Sequence, residues 1–380
     1  MLRNSKFLIA SLVVVSGLGR AQDQSLPQSS IAINLPTDAP VTLMSSESGE
    51  SRASARGGAM LLDLHMSIKL RNNSPHRIHG VTMIVSAQEV TPGGKASWAS
   101  WLDVAPGEMF PLQVDIRLLR PLQPQNGPLV QVGLDGVLFN DASFYGPNHL
   151  DSRRTMMVWE TEAQRDRQQF KAILSKYGPD GLQHFTLDSL NRQTARPRLD
   201  VQVSRGGRAT SAASGGAERQ AQFAFLQFPD SPAQPLDGSV RIAGNEAKAP
   251  HIEVRNRSSK AIRYFEIGWI VKDGQGKEFW AASVPASGGD LNLKPGQTGR
   301  AQQDTALRFF KGQGEPVAIQ GTTGFVSQVE YTDGTIWVPD RSSLENAQLL
   351  TVLAPSLEEQ RLTDLYHKKG IRALIEDLKK

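Results

Sequence analysis

The chain has 380 residues and no cysteine, with 42 Lys and Arg against 38 Asp and Glu and a formal net charge of +4. Without cysteine there is no disulfide framework and no thiolate chemistry. Three of the cations (Arg3, Lys6 and Arg20) lie in the first 20 residues, so the rest of the chain carries only +1, which lacks the basic footprint of a nucleic-acid binder.

In chain order, the positive pair Arg3 and Lys6 precedes an apolar run, Phe7–Leu18, and Gly19-Arg20-Ala21 then places small residues before Gln22. This is the pattern of a signal peptide over 1–21, cut between Ala21 and Gln22. A run of about 12 apolar residues is too short to span a bilayer, so no transmembrane anchor is expected. No cysteine is present to carry a lipoprotein anchor. An exported chain of this size without disulfides points to a periplasmic or secreted bacterial protein.

The remainder reads as one pattern written twice. Ile68–Val85 aligns without a gap on Ile252–Trp269: RNNSPHRI (71–78) meets RNRSSKAI (255–262), then Val81, Met83 and Val85 meet Phe265, Ile267 and Trp269. The latter residues alternate with period two, as one buried strand face does. INLPTDAPVTL (33–43) echoes LQFPDSPAQPL (226–236), and LDVAPGE (102–108) echoes LNLKPGQ (291–297). FNDASFYGPN (139–148) echoes YTDGTIWVPD (331–340), and EAQR (162–165) echoes EEQR (358–361). Their common order predicts a tandem duplication: unit 1 over 22–192, a flexible linker over 193–221 and unit 2 over 222–380.

Short alternating runs between Gly, Pro, Asn and Asp turns predict an all-β sandwich in each unit. Pro106-Gly107 and Pro295-Gly296 suit type II turns. Each unit is expected to close in helix. Trp159, Ala163, Phe170, Ile173, Leu174 and Tyr177 share a face that Gly178-Pro179 stops. Ser356 and Glu359 form a capping box, Gly370 ends that helix, and 371–378 begins another. SSESGESRASARGGA (45–59) and SRGGRATSAASGGAER (204–219) lack the apolar residues that offset ordering entropy and are expected to stay flexible.

IEVRNRSSKAIRYFEIGWIVKDGQGKEF followed by LKPGQ resembles the FxLYD and WHy-type immunoglobulin-like bacterial domains, through Asn256, Ser258, Asp273, Gly274, Gly276, Pro295 and Gly296. The first copy keeps Asn72, Ser74, Gly94, Pro106 and Gly107. The resemblance covers about 50 residues of each copy and implies a mainly β fold of two tandem Ig-like sandwiches, each with an appended C-terminal helix. It implies an exported, non-catalytic module.

Nucleotide, zinc-protease and nucleophile-elbow motifs are absent. His76 and His79 face Lys260 and Arg263 in the other copy, so no metal site recurs, and no cofactor is expected. Asp141 and Asp333 read as turn residues. Asn72 and Asn256 fit glycosylation acceptors, but also a corner in which Asn and Ser bond the neighbouring backbone. Trp98 and Trp280 read as core. Trp101, Tyr145 and Trp337 are the candidate surface for a partner or glycan. The expected function is a non-enzymatic interaction or scaffold protein of the envelope, whose partner is a protein or an envelope polymer. The alternatives are a carbohydrate- or polymer-binding protein that uses exposed aromatics, and a hydrolase without recognisable motifs.

Overall fold

The computed structural model describes residues 24–56, 58–87, 95–121, 128–195, 198–205, 217–341 and 354–379. The expected signal peptide with Ala21 and Gln22, the Thr91–Gly94 turn and the centre of the expected linker lie outside these residues. The fold is mainly β, with 49% of residues in strands. It divides into two units, Met1–Leu150 and Asp151–Lys380. Among the described residues no helix is long and apolar enough to cross a membrane.

The first unit has two five-stranded sheets. One joins β1 (Gln24–Ser25), β3 (Val41–Glu47), β4 (Arg52–Arg56), β5 (Ala59–Asn72) and β8 (Met109–Pro121). The other joins β2 (Ile31–Asn34), β6 (Ile78–Ala87), β7 (Lys95–Val104), β9 (Val130–Phe139) and β10 (Phe144–Tyr145). The period-two pattern decides which faces meet. Leu62, Leu64, Met66, Ile68 and Leu70 of β5 and Val81, Met83 and Val85 of β6 are buried in one shared core. Stretch 45–59, expected to be flexible, instead holds the end of β3, β4 and the start of β5. Backbone pairing with β5 orders it, from Arg52↔Asp63 to Arg56↔Ala59, and Ala53 and Met60 pack on the core.

The second unit has a single ten-stranded sheet: β11 (Asp200–Arg205), β12 (Arg219–Phe225), β13 (Ala233–Ala243), β14 (Glu246–Asn256), β15 (Ile262–Asp273), β16 (Glu278–Pro285), β17 (Thr298–Gln302), β18 (Thr305–Phe310), β19 (Ile319–Tyr331) and β20 (Ile336–Trp337). Its path runs β11-β18-β14-β13-β12-β19-β15-β16. The two ends meet where Leu199 N donates to Trp280 O at 3.0 Å, so the sheet nearly closes into a barrel. Phe265, Ile267 and Trp269 fill it, as their alternation requires. Strand β11 falls inside the stretch read as a flexible linker. Its alternation of Val201 and Val203 with polar residues lets it pair with β18 and lay Val201 on the core.

Among the described residues two helices complete the second unit, α1 (Ser152–Ala195) and α2 (Leu357–Leu378). Gly178 breaks α1 at φ 68° and Gly370 breaks α2 at φ 78°, a region that glycine enters without a Cβ clash. Both breaks fall where expected. Phe170, Leu182, Leu362, Leu374 and Leu378 form a helix–helix core, with Ile173 and Leu174 packed on it. Tyr177, expected on this face, is exposed, because the chain turns at the next residue. One expectation is corrected: α1 does not close the first unit. It is internal to the chain and belongs with the second unit, where apolar packing against α2 and ion pairs to β19 hold it.

Candidate functional site

The repeated corner is built from the same atoms in each unit. Asn72 is fully buried and its Nδ2 donates to His76 O (2.9 Å) and Val104 O (3.2 Å), while Oδ1 accepts from Ser74 N (2.9 Å) and Oγ (2.7 Å). Asn256, equally buried, donates to Lys260 O and Leu293 O (both 2.8 Å) and accepts from Ser258 N (2.9 Å) and Oγ (2.7 Å). The backbones match too: Asn72 O accepts from Gly107 N at 2.8 Å, and Asn256 O from Gly296 N at 2.9 Å. These glycines have φ of 79° and 73°, as type II turns need. With both amide hydrogens donated inside the protein, neither Asn presents a glycan acceptor in the folded state.

The hairpins beside the corners repeat as well. Asp141 Oδ1 accepts from Ser143 N (3.0 Å) and Asp333 Oδ1 from Thr335 N (2.9 Å). The hydroxyls of Ser143 and Thr335 hold the two carboxyls below the ordinary range; for Asp333 a bond from Lys260 Nζ is the largest cause. His76 has Nδ1 3.6 Å from Asp141. Lys260 occupies the matching place, 2.7 Å from Asp333, so a basic side chain meets the turn carboxyl in both units. Among the described residues no group of three or more His, Cys, Asp or Glu could hold a metal ion.

The candidate aromatics do not converge. Tyr145 on β10 packs partly buried against the first core, where burial first and then the neighbouring Asp38 raise its phenol above the ordinary value. Trp337 on β20 is also partly buried, and its Nε1 donates to Asp230 at 3.0 Å. The Trp337 ring is thus pinned by its polar tip, and both rings stay partly exposed. Trp101 lies on β7, paired with Gly80, but its side chain, like that of Trp98, lies outside the described residues. Trp280, expected in the core, is only partly buried beside Phe228, Ile270 and Phe325; the core tryptophan is Trp269.

A polar layer that sequence reading missed runs along α1. The Arg154 guanidinium lies 3.7 Å above the Tyr264 ring, its Nε donates to Glu330, and Nη2 donates to Asp290 at 3.3 Å. Tyr264 in turn donates to Glu266 at 2.6 Å, and Ser283 donates to the other Glu266 oxygen at 2.7 Å. Burial first, then the Glu266 charge, raises the Tyr264 phenol well above its ordinary value. Further along, Asp166 is fully buried between Arg165 (2.9 Å) and Arg341 (2.8 Å). Burial works against its ionisation, but the two guanidiniums prevail and hold it below the ordinary value. Arg341 also reaches Glu359, which Ser189 bonds. Arg167 and Arg361 both engage Glu358 and Asp377. The EAQR and EEQR echo was the one trace of this layer, since Arg165, Glu358, Glu359 and Arg361 belong to it.

Glu162 is the outlier of the layer. Burial, with like charge from Asp166 and Glu266, pushes its carboxyl from 4.5 up to about 7 against the pull of Arg165. A carboxyl raised on folding adds stability that is complete below its unfolded value and is lost as pH rises through the folded one. Wild-type stability is therefore expected to fall by about 1–3 kcal/mol between pH 4.5 and 7 relative to Glu162→Gln. Thermal melts of both chains across that range check it, and parallel curves would show that Glu162 titrates normally.

No family model matches the chain, and no curated protein matches it. Solved structures that align with it include "pT26-6p", at 7% identity over 89% of this chain and 72% of that one, with a TM-score of 0.16. The infectious bursal disease virus Gt strain aligns at 8% identity over 70% of this chain and 54% of that one, with a TM-score of 0.14. Red sea bream transglutaminase aligns at 8% identity over 76% and 31%, with a TM-score of 0.12. Likenesses this slight carry no argument about fold or activity.

Proposed function

We propose that this is an exported, non-catalytic interaction or scaffold protein of the bacterial envelope, built from two copies of one Ig-like sandwich unit. The observation that carries the reading is the paired corner. The polar residues that recur along the chain (Asn72 and Asn256, Ser74 and Ser258, Asp141 and Asp333) spend their hydrogen bonds on backbone turns at matching places. A duplicated active site would direct its recurring polar atoms toward a ligand, whereas a duplicated scaffold directs them inward. The order of pairing supports the duplication: β9 takes β2 in parallel and β6 antiparallel, as β19 takes β12 and β15. The ion pairs along α1 fit the same reading, because Arg165, Asp166 and Arg341 bind each other and the chain around Pro339.

The alternative, carbohydrate or polymer binding, draws on Trp337 and Tyr145, whose partly exposed rings can stack on a sugar. A glycan array separates the two. The scaffold reading expects no signal that Trp101→Ala or Trp337→Ala abolishes, together with cross-linking of the intact chain to a protein in living cells. A glycan signal lost in either variant would replace it with the carbohydrate reading. Mass measurement of the secreted form checks export, with a first residue of Gln22 expected.

A further inference from the structure

We infer that the first unit holds a strand-acceptor seam between β7 and β8, which takes an extended segment of a partner protein whose apolar residues alternate with polar ones. The inference rests on the duplicated-scaffold reading and names what its partner presents. Strand β8 pairs with β5 in unbroken register from Met109↔Arg71 to Pro121↔Ala59. Asn72 N donates to Glu108 O at 2.9 Å, which sets the phase of the ladder. Even-numbered residues of β8 therefore bond β5, and the backbone groups of Gln113, Asp115, Arg117 and Leu119 turn to the opposite edge. Pro111 falls in the outward set, where it removes no ladder bond. Among the described strands none pairs with that edge, and β7 pairs only with β6.

The second unit shows what fits such a seam. There β11 lies along β18 over six residues, Asp200↔Phe310 to Arg205↔Thr305, and Leu199 bonds Trp280 at the start of the same segment. This strand spans the gap that leaves the first unit as two separate sheets. It also covers core, with Leu307 and Phe309 of β18 at most 1% exposed; β8 buries Leu112, Val114 and Leu118 without such a strand, and the seam leaves Ile116 of β8 and Leu102 of β7 partly exposed. The segment alternates buried Leu199 and core-packed Val201 with Asp200 and Gln202, which defines the chemistry of an occupant.

Adding a strand to an open edge is an established mode of peptide recognition, in which main-chain bonds supply affinity and alternate side chains supply specificity.

The probe is the synthetic peptide RLDVQVSR, the sequence of residues 198–205, titrated into the full chain. Saturable one-to-one binding is expected, with hydrogen-exchange protection gained at Gln113, Asp115, Arg117 and Leu119. Leu119→Pro removes an outward backbone donor, and Gln113→Pro removes another together with an exposed 3.2 Å bond to Ser67 Oγ; each should weaken binding at least tenfold, with the melting temperature of Leu119→Pro unmoved. Replacing the peptide residue that corresponds to Val201 with Asp should weaken it at least tenfold. The exchange map of the unaltered chain decides the matter if either proline variant folds poorly. Absence of binding, protection confined to other segments, or a dimer of this chain formed through β8 would overturn the inference. If the peptide fails while cellular cross-linking still recovers a protein, the scaffold reading stands and the seam alone falls.

Discussion

Asn256→Ala is expected to destabilise the second unit by about 3–4 kcal/mol, and Asn72→Ala the first by a similar amount. Each change deletes four hydrogen bonds from a fully buried side chain. Leu293 O keeps its 2.9 Å bond from Ile262 N but loses its second donor to a buried void, and each of the four lost bonds is worth about 0.5–1.5 kcal/mol. Ser258 and Lys260 lie nearer the surface, where water replaces part of what is lost. Asn256→Asp should be no milder, because a carboxylate oxygen would then oppose two carbonyl oxygens. Ser258→Ala should cost only about 1 kcal/mol. Urea unfolding followed by amide exchange within the affected unit checks the series. A loss under 1 kcal/mol at either Asn would mean that the corner does not organise its unit.

The second large effect is expected at Asp166. Asp166→Ala leaves Arg165 and Arg341 buried against each other, and breaking a buried pair from one side costs about 3–5 kcal/mol. Replacing Asp166 and Arg341 together with apolar residues should recover much of that loss. The pH dependence has a definite sign. The Asp166 carboxyl is held below its ordinary 3.8, so its contribution is present above that value and lost as pH falls through the folded one. Glu162 acts oppositely, across 4.5 to about 7. Wild type should therefore be most stable between these windows, and Asp166→Ala should lose the acid limb alone. Melting curves of the single and double variants from pH 2 to 8 test both statements.

Local pattern made much of this legible. Period two marked the buried faces of β6 and β15, and the Pro-Gly pairs marked turns whose glycines have positive φ. Ser356 caps α2 by accepting from Glu359 N, as its spacing predicts. The capping-box carboxylate, however, points elsewhere, to Arg341 and Ser189. What escaped was non-local. Nothing in the run SRRTMMVWE announces that Arg154 will meet Glu330, because a lone charge carries no period and its partner lies 176 residues away. Strands β4 and β11 escaped for another reason: β4 has a composition that predicts the opposite and is ordered by β5, and β11 is a short alternation set beside a low-complexity stretch. Trp280 and Trp269 show a third limit, since residue type alone does not tell a core tryptophan from a rim one.

The separation of α1 from its partners also bears on biosynthesis. Arg167 bonds Asp377 across 210 residues, and the apolar stripe of α1 closes only against α2. At synthesis rates of roughly 5–20 residues per second, α1 exists for about 10–40 s before its counterpart has been made. Throughout that interval an unpaired apolar stripe and several uncompensated arginines face whatever surrounds the nascent chain. The second unit therefore cannot mature from its N-terminal end, and its last step is the arrival of its final 20 or so residues. Clipping that tail should leave the β-sheets able to form while stranding α1.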